Sequence, residues 1–92
     1  MSFEEESKKM IQDAVNATVV ELNEYRGQII GDCLQIVAYE KPIGAQLLRC
    51  TGGPEIRIDT HLCVVIGKWA GRTAIASFRR AIADEINDFL GM

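Results

Sequence analysis

Asp59, His61 and Cys63 stand at i, i+2 and i+4 in one strand-like stretch, and an acid, an imidazole and a thiol in that order invite a reading as a nucleophile with its base. The spacing argues against it. Alternate residues of a strand lie roughly 6.5–7 Å apart, whereas a thiol–imidazole dyad needs about 3 Å between heavy atoms. Cys33, Cys50, Cys63 and His61 are also the ligand types of a zinc site, but no C-x-x-C pair holds two of them close together. The plainer reading makes the cysteines small apolar residues and the histidine a surface one. No catalytic residue, metal site or cofactor is expected, and the chain reads as something other than an enzyme.

Gly67-Lys68-Trp69-Ala70-Gly71-Arg72-Thr73 is the most suggestive run. Glycine-rich loops between a strand and a helix cradle phosphates with backbone N–H groups. A Walker loop, however, requires G-x-x-x-x-G-K-[ST]; here one residue is missing between the glycines and Arg72 stands where lysine belongs. What remains is a cationic patch with an aromatic: Lys68, Trp69, Arg72 and Arg79, with Arg57 and Arg80 as further members. Such a patch suits a phosphate backbone or an acidic protein surface. The plain alternative is a solvated loop in which the glycines set the turn and Trp69 closes the core. Glu4, Glu5 and Glu6 are consecutive, so on a helix they fan out and do not converge on a cation.

The elements that would position these residues follow from hydrophobic spacing. Ile11, Val15, Thr18, Leu22 and Tyr25 step by four and three, which predicts a helix from about Ser2 to Tyr25 with one core-facing stripe. Ser2 and Glu5 have capping-box spacing, and Gly27 would end the helix. Cys33–Tyr39 is rich in strand formers, with Gly31-Asp32 before it as a tight turn. Lys41-Pro42-Ile43-Gly44 fits a type I turn leading to a returning strand over Ala45–Thr51; a short helix from Pro42 to Cys50 is the competitor. From Glu55 to Ile66, apolar residues alternate as in one long strand, bent near Asp59–His61. Gly67–Arg72 reads as a loop, and Thr73–Leu90 as a last helix with Thr73 as N-cap, Gly91 as stop and a stripe of Ile75, Phe78, Ile82, Ile86, Phe89 and Leu90.

These pieces predict a single α+β domain over residues 1–92, in two layers: N- and C-terminal helices on one face of a roughly three-stranded antiparallel sheet, in the order α-β-β-β-α. Cys33, Val37, Tyr39, Cys63 and Val65 fall on mixed or second faces, so a protein partner or self-association is expected. With 48% apolar and 25% charged residues the composition is that of an ordinary globular chain. A net charge of −3 tells against a general nucleic-acid binder. The acidic start lacks the features of a secretory signal, and the longest apolar run, Leu62–Ile66, is too short to span a membrane. Together with an odd, unpaired cysteine set this predicts a cytoplasmic location without membrane attachment. In size and composition, though by no motif, the chain resembles small phage and mobile-element proteins such as anti-CRISPR inhibitors. That resemblance implies a protein-binding role as an inhibitor or assembly factor of a larger complex; nucleic-acid binding through the basic patch is the alternative.

Overall fold

The computed structural model describes residues 3–40, 43–50 and 54–91. The elements are α1 (Phe3–Asp32), β1 (Gln35–Glu40), β2 (Ile43–Cys50), β3 (Glu55–Asp59), β4 (Val64–Trp69), β5 (Arg72–Ser77) and α2 (Arg80–Phe89). The five strands form an antiparallel meander in sequence order, with β1 and β5 at its edges. The α+β class holds, with a helix at each end; the sheet has five strands where three were expected.

Register defines the two faces. Ile36, Leu47, Ile58, Val65 and Ala76 form one cross-strand row, and Ile56, Gly67 and Ala74 form the next. Within these rows Leu47, Ile56, Ile58, Val65 and Ala74 are buried under the helices. From α1 come Ile11, Val15, Leu22, Ile29 and Ile30; from α2 come Ile82, Ala83 and Ile86. Gly67 lets α1 sit close on β4, since a Cβ there would come 2.7 Å from Val15 Cγ1 and 2.8 Å from Ile11 Cγ2. The opposite face, with rows Gln35–Leu48–Arg57–Ile66–Ile75 and Val37–Gln46–Asp59–Val64–Ser77, contributes none of the buried apolar core among the described residues.

Four expectations need correction. First, α1 does not stop at Tyr25 but runs through Gly27 and Gly31 to Asp32. Burial of Ile29 and Ile30 outweighs a glycine penalty of about 1 kcal/mol. The core stripe Ile11, Val15, Thr18 and Leu22 is buried as expected, while the Ser2 cap and the Tyr25 side chain fall outside the described residues.

Second, the expected long strand is a hairpin. β3 ends at Asp59 and β4 starts at Val64, with Cys63 at φ 57° in the turn between them. The turn changes the parity of the alternation. Val65, expected on a mixed face, is fully buried, and Val64 and Ile66 point the other way.

Third, the expected Gly67–Arg72 loop is the end of β4, a two-residue turn and the start of β5. Ala70 and Gly71 both have positive φ, 50° and 76°, the signature of the turns whose twist matches paired strands.

Fourth, the last helix begins at Arg80, not Thr73, and its N-cap is Arg79, with no side-chain cap bond. Thr73-Ala74-Ile75-Ala76-Ser77 alternates every second residue and belongs to β5, where Ile75 is exposed. Phe89 of the expected stripe is exposed too. The stop at Gly91 holds, at φ 79°.

The expected hairpin between β1 and β2 is present, paired from Gln35↔Leu48 to Glu40↔Ile43, and the competing helix is excluded. The type I turn lies partly at residues 41 and 42, outside the described set.

Candidate functional site

Asp59 closes β3, and its carboxylate organises the turn that follows. Oδ1 accepts from the His61 and Leu62 N–H groups, each at 2.9 Å, and from the Tyr39 hydroxyl at 3.0 Å. Oδ2 accepts from Gln46 Nε2 at 3.1 Å. Tyr39 reaches across from β1 because Gly44 of β2 lies beneath its ring: a Cβ there would come within 3.0 Å of the ring and 2.9 Å of His61 Cβ. Burial alone would push the Asp59 carboxyl up, but the donors from Leu62, Gln46, Tyr39 and His61 outweigh it and hold the carboxyl below its ordinary value. Burial, then donation to Asp59, pushes the Tyr39 phenol up to about 12. With four donors on one carboxylate, this cluster holds a turn.

A second polar group ties α2 to the same turn. The buried Thr60 hydroxyl accepts from Ala45 N–H and donates to Asn87 Oδ1, both at 2.8 Å. Arg80 donates to the carbonyls of Thr60 at 3.1 Å and His61 at 2.9 Å. Asp59, His61 and Cys63 therefore do not share one strand face: Asp59 ends a strand, and the other two lie in the turn. Cys63 Sγ contacts the Thr60 carbonyl at 3.7 Å, and the Cys33 thiol donates to the Ile29 carbonyl at 3.1 Å. Burial pushes the Cys33 thiol up, with Arg49 opposing and Asp32 adding, which keeps it protonated and a poor nucleophile. Cys33 and Cys63 are free thiols, and the Cys50 side chain lies outside the described residues. Among the described residues, no three His, Cys, Asp or Glu side chains converge as a metal site would require.

The expected basic patch is dispersed. Lys68, Trp69 and Arg72 flank the β4–β5 turn, where Lys68 is exposed and Trp69 packs partly against the core. Arg79 and Arg80 lie at the far end of β5, seven residues and roughly 23 Å from Arg72 at strand spacing. Arg57 lies mid-sheet on the open face, 3.0 Å from Glu55. None of Lys68, Trp69 and Arg72 is at a helix start. An ion pair not foreseen from the sequence, Arg49 with Glu21, joins β2 to α1.

Of the nine exposed large apolar side chains among the described residues, Met10, Val20, Leu62, Ile75 and Phe89 are scattered over the molecule and four lie at the β1–β2 edge. Leu34, Ile36, Val37 and Ile43 are 63%, 38%, 48% and 63% exposed, and all belong to the β1–β2 hairpin or the residue leading into it. Ile36 lies on the helix-bearing face, on the edge strand away from β4 and β5, along which α1 chiefly lies. Val37 lies on the open face. A depression bounded by Glu6, Lys9, Met10 and Asp13 lies along α1 alone and gathers none of these residues. No helix of the described residues is long and apolar enough to cross a membrane. Neither a family model, a curated protein nor a solved structure matches this chain.

Proposed function

We propose that this chain is a non-enzymatic protein-binding module, acting as an inhibitor or assembly factor on a larger complex, and that it binds through the β1–β2 edge of its sheet. The observation that carries the reading is the grouping of Leu34, Ile36, Val37 and Ile43, exposed on both faces of an edge hairpin. Exposed apolar side chains along a sheet edge are a common mark of interaction sites in folded domains. The polar clusters support the same reading, because Asp59, Thr60 and Arg80 are each committed to holding a turn or a helix.

Capture from an extract with paired baits tests it. A species retained by the wild-type chain should be lost with Leu34→Lys or Ile43→Lys and kept with Lys68→Ala. Equal capture by all baits, or none by the wild type, overturns the reading.

The competing proposal, nucleic-acid binding through Lys68, Trp69 and Arg72, draws on their shared turn. It requires affinity that falls steeply with salt and that Arg72→Ala reduces.

A further inference from the structure

Helix α2 has little to hold it as a helix by itself. It spans ten residues, Arg80–Phe89, with no side-chain bond at its N-cap, no acid in its first turn and no base in its last. Arg80 at its start and Asp88 near its end both oppose the helix dipole. An uncapped helix of this length is marginal in water, so its form depends on docking. Part of the docking is apolar: Ile82, Ala83 and Ile86 enter the common core. The polar bonds of Arg80 and Asn87 go to one place. Asn87 accepts from the Thr60 hydroxyl, and Arg80 donates to the carbonyls of Thr60 and His61. The β3–β4 turn is gripped from two sides, its His61 and Leu62 N–H groups by Asp59 and its carbonyls by α2. Thr60 carries the grip into β2, since its hydroxyl accepts from the Ala45 N–H and its own N–H donates to the Ala45 carbonyl. Two residues join β5 to α2. The Phe78 N–H still donates to the Cys63 carbonyl at 2.9 Å, whereas Arg79 is extended, at φ −71° and ψ 143°.

We propose that α2 and the β3–β4 turn form one latch, which opens as a unit about Arg79 while α1 and the rest of the sheet stay folded. The coupling is chemical. When α2 lifts, the Thr60 and His61 carbonyls lose the Arg80 guanidinium, and the Thr60 hydroxyl loses its Asn87 acceptor. The turn is left with the Asp59 clamp on its N–H groups, and the Ala45 N–H faces a hydroxyl no longer held in place. The seat of α1 takes no part in this. That helix lies chiefly along β4 and β5, where Gly67 makes room for Ile11 and Val15. The opening therefore costs less than unfolding the chain, as openings of a cooperative part of a fold do. It also changes the surface. Ile43, Ala45 and Leu47 alternate along the helix-bearing face of β2, with Ile43 exposed and Ala45 fully buried. Opening admits water to Ala45 and Thr60 beside Ile43, and frees the Ile82 and Ile86 side chains. The latch works in the free chain and rests on no partner.

Amide hydrogen exchange of the full chain, read residue by residue at low urea concentrations, is the test. In the wild type the amides of Ile86, Asn87, Ala45 and Thr60 should share one opening. It should be about tenfold more frequent than that of Ile58 and Val65 in mid-strand, and depend less steeply on urea. Arg80→Met, which keeps the stem and removes the guanidinium, should speed all four together by about tenfold. Asn87→Ala, a second variant, should speed the same four. Gly67→Ala, which disturbs α1 against β4, should speed Ile58 and Val65 and leave the four unchanged, because that contact is the same in the closed and opened forms. Exchange of Ile86 and Asn87 no faster than that of Ile58 and Val65 overturns the proposal, since α2 then opens only with the whole chain. So does exchange in α2 that either α2 variant speeds while Ala45 and Thr60 keep the wild-type rate, since the helix then frays without the turn. Capture of a partner through Leu34 and Ile43 is a separate measurement that none of these outcomes decides.

Discussion

Asp59 is the residue on which the β3–β4 turn depends, and its chemistry predicts a pH response. Its folded pKa lies below the ordinary carboxylate value, so its ionised form binds more tightly in the folded chain than in the unfolded one. The resulting stabilisation is complete above the unfolded value of about 4 and is lost as pH falls through the lower folded value. Asp59→Asn keeps an acceptor for the backbone N–H groups but removes the charge and the bond from Gln46. It should lower stability by about 2 kcal/mol at neutral pH and flatten the loss of stability that the wild type shows as pH falls below the ordinary carboxylate range, as measured by urea unfolding across pH.

Tyr39 supplies the complementary alkaline signal: in a Tyr25→Phe background the remaining phenol should titrate near 12 by ultraviolet absorbance. A folded pKa above the ordinary value of about 10 means that its stabilisation persists below that value and disappears as pH rises through the folded one. Neither pairing could be read from the sequence. Tyr39 and Asp59 are twenty residues apart, and Gly44, which lets them meet, looked like a turn residue rather than a space for a ring.

The elements divide into those held by one another and those shaped by their turns. Thr60, in the β3–β4 turn, joins β2 to α2 with one hydroxyl, so Thr60→Val leaves the Ala45 N–H and Asn87 Oδ1 without this partner. A loss of about 2–4 kcal/mol is expected in chemical denaturation, well above that of a simple surface change. Gly67→Ala should cost about 1–3 kcal/mol by driving a methyl group into Val15 and Ile11. In the β4–β5 turn the effect reverses. Ala70 pays for a left-handed backbone at φ 50°, and Ala70→Asn creates the Asn-Gly pair such turns favour; it should raise stability by about 1 kcal/mol.

The same turns explain where a hydrophobic pattern misleads. Thr60 to Cys63 contains neither glycine nor proline, and Ile56 to Ile66 alternates so regularly that the reversal inside it left no periodic trace. Ile75 and Phe78 happen to extend the true α2 stripe of Ile82 and Ile86 backwards at helical spacing, which hid β5.

For the whole molecule, the basic residues are spread over the sheet rather than gathered. Lys68 pairs in register beside Glu55, and Arg79 and Arg80 stand at the opposite end from Arg72. The expected outcome in a fluorescence anisotropy titration with duplex DNA is no binding at physiological salt and no effect of Arg72→Ala. A steep salt-dependent affinity would favour the competing proposal instead.

Local spacing was sufficient for the α+β class, for the core stripe of α1 through Leu22, for the β1–β2 hairpin and for the helical stop at Gly91, because each follows from neighbours a few residues apart. The number of strands, the side to which Val65 points, the clamp around Asp59 and the bareness of β1 were settled only in the folded chain. Each depends on what lies across the sheet or above it: a glycine under a ring, a helix that lies chiefly along β4 and β5, a turn stabilised by a carboxylate. Those contacts join residues far apart along the chain, and hydrophobic periodicity carries no record of them.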